Sequence, residues 1–374
     1  MIYKKCYPIL LQLTEINLHK KFMELKLTGT LLSYIEVIAG SLVIFLFSAL
    51  FTGTTRLYAI KKSILDIPNE RSSHAIPTPR GGGIAIVLTF TFVLFGLKWA
   101  NYIQTNLYLA LIGGGITIAT TGYCDDIYSV SAKWRILLHS LAAAWALYWM
   151  GSFSFLTLAS PHILLDIVNY TLTAIGIVWY INFYNFMDGI DGLAGSEGMF
   201  VAMGSSIALW WTGAPYLALV MSLLAASIAG FTIWNWPPAK IFLGDVGSGY
   251  LGYIFAVLGL YTANNNILPI TFWWVMLAIF ICDATFTLLY RMYQGKKWYS
   301  AHREHAYQHL ISFGANHKRV TTSILIINCC VLLPIAFTLL QWPAASKLCL
   351  NILIICLFLT WIKIKSLAVP SRNF

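Results

Sequence analysis

The chain has 374 residues, of which 59% are hydrophobic and only 10% charged, and its net charge is +10. Soluble proteins carry roughly 25% charged residues, so this composition excludes a soluble enzyme and points to an all-α, polytopic bundle in a lipid bilayer. In such a chain an excess of lysine and arginine reports topology, not a nucleic-acid partner, and seven scattered cysteines without a CxxC pair argue against a disulfide framework or a zinc site.

Residues 1–33 place Lys4, Lys5, Lys20, Lys21 and Lys26 around a short apolar run, Tyr7–Leu13. A membrane span needs about 20 residues, and no small-residue cleavage site follows. The segment therefore reads as an N-terminal extension, with Met23 as an alternative start. Apolar segments of spanning length then recur near 34–58, 82–98, 107–124, 134–150, 164–186, 192–212, 214–233, 246–262, 267–292, 321–341 and 345–364. These predict about eleven transmembrane helices in a single domain, 34–364, followed by a cytosolic tail, 365–374. Most of the 24 lysines and arginines fall in alternate loops, while the opposite loops carry only Lys98 and Lys347. The positive-inside rule puts the basic loops in the cytosol. Asp66, Glu70, Asp125, Asp126, Asp188, Asp191, Asp245 and Glu304 gather on that same face. Glu197 and Asp283 lie a turn or two inside the membrane, where a carboxylate needs a partner; for Asp283 a lysine or arginine from a neighbouring loop is the candidate. A secondary transporter concentrates its polar groups near the midplane instead.

Five constellations carry the chemistry. Asp66–Gly83 (DIPNERSSHAIPTPRGGG) is a rigid Pro- and Gly-rich loop in which Arg71, His74 and Arg80 suit either an anionic substrate or an anionic lipid headgroup. Gly122–Asp126 (GYCDD), with Lys133 and Arg135 close behind, suits a meeting of metal and phosphate, or a solvated helix end. Asn182–Gly195 (NFYNFMDGIDGLAG) ends an apolar run. On a continuing helix Asn182, Asn185 and Asp188 share a drifting face, Gly189, Gly192 and Gly195 allow close packing, and a helix restart would aim amides at an anion. In Ile241–Gly252 (IFLGDVGSGYLG), Asp245 is either a cation ligand or an N-cap. His302–His309 (HREHAYQH) sets His302, His305 and His309 on one helical stripe, a lip for sugar and diphosphate with Arg303 as a phosphate fork and Tyr307 and Gln308 as hydroxyl and amide partners, or an amphipathic interfacial helix.

These five stretches, in this order and spread over about residues 34–320, resemble the polyprenyl-phosphate N-acetylhexosamine-1-phosphate transferase family. The loop HREHAYQ is similar to that of its O-antigen-initiating, WecA-like branch, and the run of consecutive histidines typical of the peptidoglycan branch is missing. The resemblance implies a multi-pass enzyme of the bacterial inner membrane with a cytosolic active site. It implies transfer of GlcNAc-1-phosphate, or of a 6-deoxy sugar phosphate such as FucNAc or QuiNAc, from a UDP-sugar to undecaprenyl phosphate, with release of UMP, at the start of O-antigen or a related envelope glycan. Mg²⁺ is the implied cofactor, with Mn²⁺ as a substitute, held by Asn185 and Asp245. Asp125 and Asp126 line the implied phosphate site, with Lys133 beside them, and Asp188 and Asp191 support the nucleotide-sugar pocket. Asn182, Arg80, His74, His302, Arg303 and His305 complete the substrate contacts. The dianionic lipid phosphate needs little deprotonation, so direct in-line attack is expected, with a covalent aspartyl phosphate on Asp188 or Asp125 as the competing route. A homodimer stays open, as do a transporter and a metal-dependent lipid-phosphate hydrolase.

Overall fold

The structure, a computed structural model, describes residues 34–68, 76–155, 163–297 and 302–367. The chain divides into two compact units, Met1–Gly40 and Ser41–Phe374, and the architecture below is that of the second. The helices are α1 (Tyr34–Lys61), α2 (Gly83–Trp99), α3 (Thr105–Tyr128), α4 (Ala132–Met150), α5 (Ile163–Phe186), α6 (Leu193–Trp211), α7 (Pro215–Asn235), α8 (Asp245–Asn264), α9 (Ile270–Met276), α10 (Ala278–Tyr293), α11 (Ala306–Ser312), α12 (His317–Ile327), α13 (Leu333–Gln341) and α14 (Ser346–Lys365). Two residues each of β1 (Leu65–Asp66) and β2 (Thr78–Pro79) form the described β-structure, pairing antiparallel.

All eleven expected apolar segments are helical, but among the described residues seven helical stretches are long and apolar enough to cross a membrane, or eight if the bent pair α9–α10 is one span. Helix α2 has only 17 residues. Helices α4 and α6 have the length, 19 residues each, but dilute their apolar character with Lys133, Arg135 and His139 in one and with glycine, serine and Glu197 in the other.

Helix α8 is the axis of the bundle, buried along nearly its whole length and packed by α2, α3 and α5. Small residues make this approach close: a Cβ on Gly252 would come within 2.5 Å of the Tyr180 carbonyl oxygen, and one on Gly83 within 2.3 Å of the Gly247 Cα. Such contacts let helices associate where lipid offers no hydrophobic drive between them.

Two expectations are corrected here. The single helix expected over 267–292 is broken at Leu277 and bent by 79°. No proline or glycine marks the break. It is tied on both sides, by Trp273 Nε1 donating to Thr262 Oγ1 of α8 (2.9 Å) and by Asp283 engaging the start of α11. The partner of Asp283 is not a lysine or arginine: its carboxylate accepts the amides of Ala306 (2.8 Å) and Tyr307 (3.3 Å) and lies 3.7 Å from His305 Nδ1. The other membrane carboxylate, Glu197, accepts a hydrogen bond on one oxygen, from Asn328 Nδ2 at 2.5 Å. Asn328 opens a π-helical turn, Asn328–Leu332, that leads into Pro334. A π-turn accommodates the amide that proline lacks and the carbonyl its ring displaces.

Candidate active site

The site forms where the loop before α2, the end of α3, the start of α4, the end of α5 and the start of α8 converge. Backbone pairing sets the first of these against the last: Gly82 N–H donates to Phe242 O (2.8 Å), Gly83 N–H to Leu243 O (2.9 Å), and Phe242 N–H to Pro79 O (2.8 Å). Arg80 is thereby delivered to the carboxylates. Its Nε lies 2.7 Å from Asp126 Oδ1 and its Nη2 3.1 Å from Asp245 Oδ1. Burial alone would lower the Arg80 pKa; the charges of Asp126 and then Asp245 outweigh it and hold the guanidinium firmly protonated.

Asp245 does not cap α8 itself. The helix begins at Asp245 after Gly244, and Asp126 supplies the cap from α3, accepting the amides of Asp245 (2.9 Å) and Val246 (3.3 Å). Gly244 takes φ +76°, and a Cβ there would sit 2.5 Å from Asp126 Oδ2. Gly122 is needed for a different reason: its Cβ would lie 2.3 Å from the Asp245 carbonyl oxygen. Glycine in GYCDD and in LGDVG therefore brings the two motifs together, and borrowing the cap from Asp126 leaves the Asp245 side chain for a ligand.

Around Asp245 stand Asp125 and Asn185, both within hydrogen-bonding reach of its carboxylate. Asn185 Nδ2 also donates to Ser248 Oγ at 3.1 Å. Asp125 accepts from Val130 N–H (2.6 Å) and from Arg135 Nη1 (2.8 Å), which is also 3.8 Å from Asp245 Oδ2. Asp188 accepts the Gly244 amide; burial first, and then the Asp245 charge, push its carboxyl well above the usual range.

A cavity of about 680 Å³ opens beside this cluster. Asp125, Arg135, Asn182, Asn185, Asp245 and His302 are on its polar side, with His305 and Gln308. The remaining wall is apolar, built from residues such as Ile118, Ile136, Ile175, Val178, Trp179 and Leu288. The His302 ring lies 4.9 Å from that of His305, and burial, then the nearby His305, lower its pKa to about 4. It acts as a neutral imidazole.

The sequence-predicted residues do not all meet. Asp125, Asn182, Asn185, Asp245, His302 and His305 line the cavity, and Arg80, Asp126 and Asp188 buttress the carboxylate cluster behind it. Lys133 is exposed and makes no part of the lining; Arg135 takes the expected place beside Asp125. The two side chains are two residues apart, about 200° round a helix, so only one can face the site. Asp191 is occupied elsewhere, accepting Ala239 N–H (3.0 Å) and lying 3.2 Å from His317 Nδ1, so it braces loops. The amide just before the helix restart is spent likewise: Gly192 N–H goes to Asn235 Oδ1 at 3.0 Å. Arg303 lies within electrostatic range of Tyr307, away from the cavity lining. His74 and Arg71 fall outside the described residues. The histidine stripe is also corrected. Asp283 fixes the start of α11 at Ala306, so His302 and His305 precede the helix, and His309 turns to the Leu367 carbonyl at 2.9 Å.

Arg135 and Gln308, both read from the sequence as candidates, line the cavity, and His139 joins them as a lining residue not assigned from the sequence. A signal for it existed: Arg135, His139, Ala142 or Ala143, and Ala146 follow one helical stripe, and the alanines of that stripe are buried.

The family model for glycosyl transferase family 4 matches residues 108–263. A probable undecaprenyl-phosphate N-acetylglucosaminyl 1-phosphate transferase of Bacillus subtilis is 32% identical over 305 residues, 79% of this chain and 82% of that protein. The undecaprenyl-phosphate α-N-acetylglucosaminyl 1-phosphate transferases of Salmonella typhi and Escherichia coli K12 are 31% and 29% identical, each over 72% of this chain and 74% of the relative. With its two acidic motifs locked together at a cavity that is polar on one side and apolar on the other, the chain belongs to glycosyl transferase family 4, among the polyprenyl-phosphate N-acetylhexosamine-1-phosphate transferases.

Proposed function

We propose that the protein transfers N-acetylglucosamine-1-phosphate from its UDP-sugar to undecaprenyl phosphate, releasing UMP and starting an O-antigen or related envelope glycan. One observation carries this reading: Asp125, Asp245 and Asn185 converge, flanked by Arg80 and Arg135, at the polar side of a cavity whose other wall is apolar. That division suits one substrate with a hydrocarbon chain and one without. The relatives, as N-acetylglucosaminyl 1-phosphate transferases acting on undecaprenyl phosphate, support the same transferred group and acceptor. A 6-deoxy-N-acetylhexosamine is the alternative donor sugar.

The donor set fits Mg²⁺. Among the described residues no group of three His, Cys, Asp or Glu side chains forms a closed metal cage, and Mg²⁺ characteristically takes one or two carboxylates, keeping its other positions for water and phosphate. Asp245, Asp125 and the Asn185 amide supply that number of oxygens, and carboxylates held this close repel unless a cation offsets them. When bound, the ion supplies charge neutralisation for the two phosphate groups; Mn²⁺ has compatible chemistry.

The remaining work belongs to the chain. Arg135, anchored on Asp125, faces the cavity and stabilises charge on the phosphoryl oxygens. Arg80 keeps Asp245 ionised and in place. Asp126 holds the start of α8 so that Asp245 projects toward its ligand. Neutral His302, with His305 and Gln308, offers hydrogen bonds to the sugar or diphosphate. The acceptor phosphate is mostly dianionic near pH 7, its second pKa being about 6, so no strong base is required. One of its oxygens attacks the β-phosphorus, the bond from that phosphorus to the bridging oxygen breaks, and UMP departs with the electron pair. Asp125 is tied up by Val130 N–H and Arg135, which disfavours it as the nucleophile of a covalent route.

In this reading eleven segments cross the inner membrane, the shorter and less apolar α2, α4 and α6 among them, and the site faces the cytosol. A transporter is the weaker account, because the Asp283 carboxylate is taken up by the start of α11 and Asn328 holds one oxygen of Glu197. The test uses purified protein, undecaprenyl phosphate, Mg²⁺ and a panel of UDP-sugars. Lipid-dependent UMP release with a lipid-linked sugar diphosphate supports the proposal. UMP release without added lipid means hydrolysis and overturns it.

A further inference from the structure

The cavity contains a polar pair at a different depth from the carboxylates. His139 lies one turn beyond Arg135 along α4, and Asn182 lies one turn before Asn185 along α5. Four residues of helix advance about 6 Å and three about 4.5 Å, so both sit on the membrane side of the Asp125–Asp245 cluster. Their neighbours on the lining are mostly apolar: Ile136 on one helix, beside Ser140, and Ala174, Ile175, Val178 and Trp179 on the other. Asn182 Nδ2 donates one hydrogen to Val178 O at 2.7 Å and points the other at His139 Nδ1, 3.5 Å away. With Nδ1 as the acceptor, the proton of the neutral ring is on Nε2, the nitrogen left for a ligand in the cavity.

We infer that His139, oriented by Asn182, donates a hydrogen bond to the phosphate of the lipid acceptor and marks the point where its hydrocarbon chain ends. The inference rests on the transfer reading above. A UDP-sugar is polar throughout and gains nothing from an apolar wall. A lipid phosphate has one polar end, and a polar pair between the apolar wall and the arginine-flanked carboxylates is where that end arrives. An Nε2–H donor there recognises phosphate without adding another fixed charge beside Arg135. The pair also gives each of two half-buried polar side chains on a mostly apolar stretch of lining a polar partner.

The test is steady-state kinetics in detergent with His139→Ala, His139→Phe and His139→Gln, varying undecaprenyl phosphate and UDP-GlcNAc in turn, together with binding of undecaprenyl phosphate without donor. A hydrogen bond to a charged group is worth about a tenfold change in affinity or more. His139→Ala and His139→Phe therefore raise the acceptor KM about tenfold, weaken lipid binding in parallel and leave the donor KM unchanged. The phenylalanine variant keeps the ring's bulk, so its defect reports the lost donor and not lost packing. His139→Gln, which keeps an N–H donor, restores the acceptor KM to within about threefold of the wild type. A rise in donor KM instead, unchanged acceptor KM in all three variants, or a glutamine variant as poor as phenylalanine overturns the inference while the transfer reading stands. If the wild type forms no lipid product, both fall together.

Discussion

The Asp126 carboxylate caps the helix that begins at Asp245, accepting the amides of Asp245 and Val246 at 2.9 and 3.3 Å. An acid from one motif thus completes the backbone of another 119 residues away, and the two neighbouring aspartates of GYCDD divide their roles. Asp125 faces the cavity; Asp126 holds the frame. Asp126→Asn leaves one oxygen for two amides and sets an NH₂ group against a donor, at a cost of about 1–3 kcal/mol. Thermal unfolding in detergent should show lowered stability together with lost turnover. Asp125→Asn should lose turnover with a smaller change in stability.

Arg135, not Lys133, is paired with Asp125 at 2.8 Å. Arg135→Ala should lower kcat/KM by about 10- to 100-fold, the range for a lost hydrogen bond to a charged group. Lys133→Ala, at an exposed position, should change it by no more than about twofold. Side-by-side kinetics decide the point, and the opposite order would return the role to Lys133.

Gly122 and Gly96 form a matched pair of glycine substitutions. A Cβ at Gly122 would strike the Asp245 carbonyl at 2.3 Å, whereas one at Gly96 meets nothing within 4 Å. Overpacking costs about 1–3 kcal/mol, and at Gly122 the strain falls on the residue that carries the site. Gly122→Ala should abolish transfer; Gly96→Ala should leave both transfer and thermal stability near those of the wild type.

Asp188 makes the site sensitive to pH. Burial and the Asp245 charge raise its carboxyl pKa, so the protonated form persists to higher pH than for an ordinary aspartate. A cation bound at Asp245 favours the ionised form and must displace that proton, so apparent Mg²⁺ affinity should rise with pH. Mg²⁺ titrations of activity at about pH 6 and about pH 8 check this. A higher Mg²⁺ requirement at the acid end, relieved by excess Mg²⁺, is the expected result, and the dependence should flatten in Asp188→Asn.

Much of this site is legible in the sequence because acidic and amide side chains at the ends of apolar runs are costly without a use. Asp125, Asn185 and Asp245 stand out for that reason alone. What is hidden depends on helix phase and on distant partners. Choosing Arg135 over Lys133 requires following the stripe through His139 to the buried alanines of α4. The start of α11 is set by Asp283, 23 residues earlier, so local periodicity runs the helix through His302 and His305 where none exists. The break at Leu277 has no proline or glycine to announce it; contacts from α8 and α11 impose it. Asp191 looks like its neighbour Asp188 in the motif, and only the arrival of His317 and Ala239 shows that it braces loops.

The central claim is that Asp245, with Asn185 and Asp125, holds one divalent ion where the two phosphates meet. The most direct measurement is a Mn²⁺ titration of the purified protein followed by electron paramagnetic resonance, comparing the wild type with Asp245→Asn and Asn185→Ala. The account predicts one bound Mn²⁺ in the wild type, displaced by Mg²⁺, and binding that is lost or strongly weakened in both variants. Equal Mn²⁺ binding by all three proteins would contradict it.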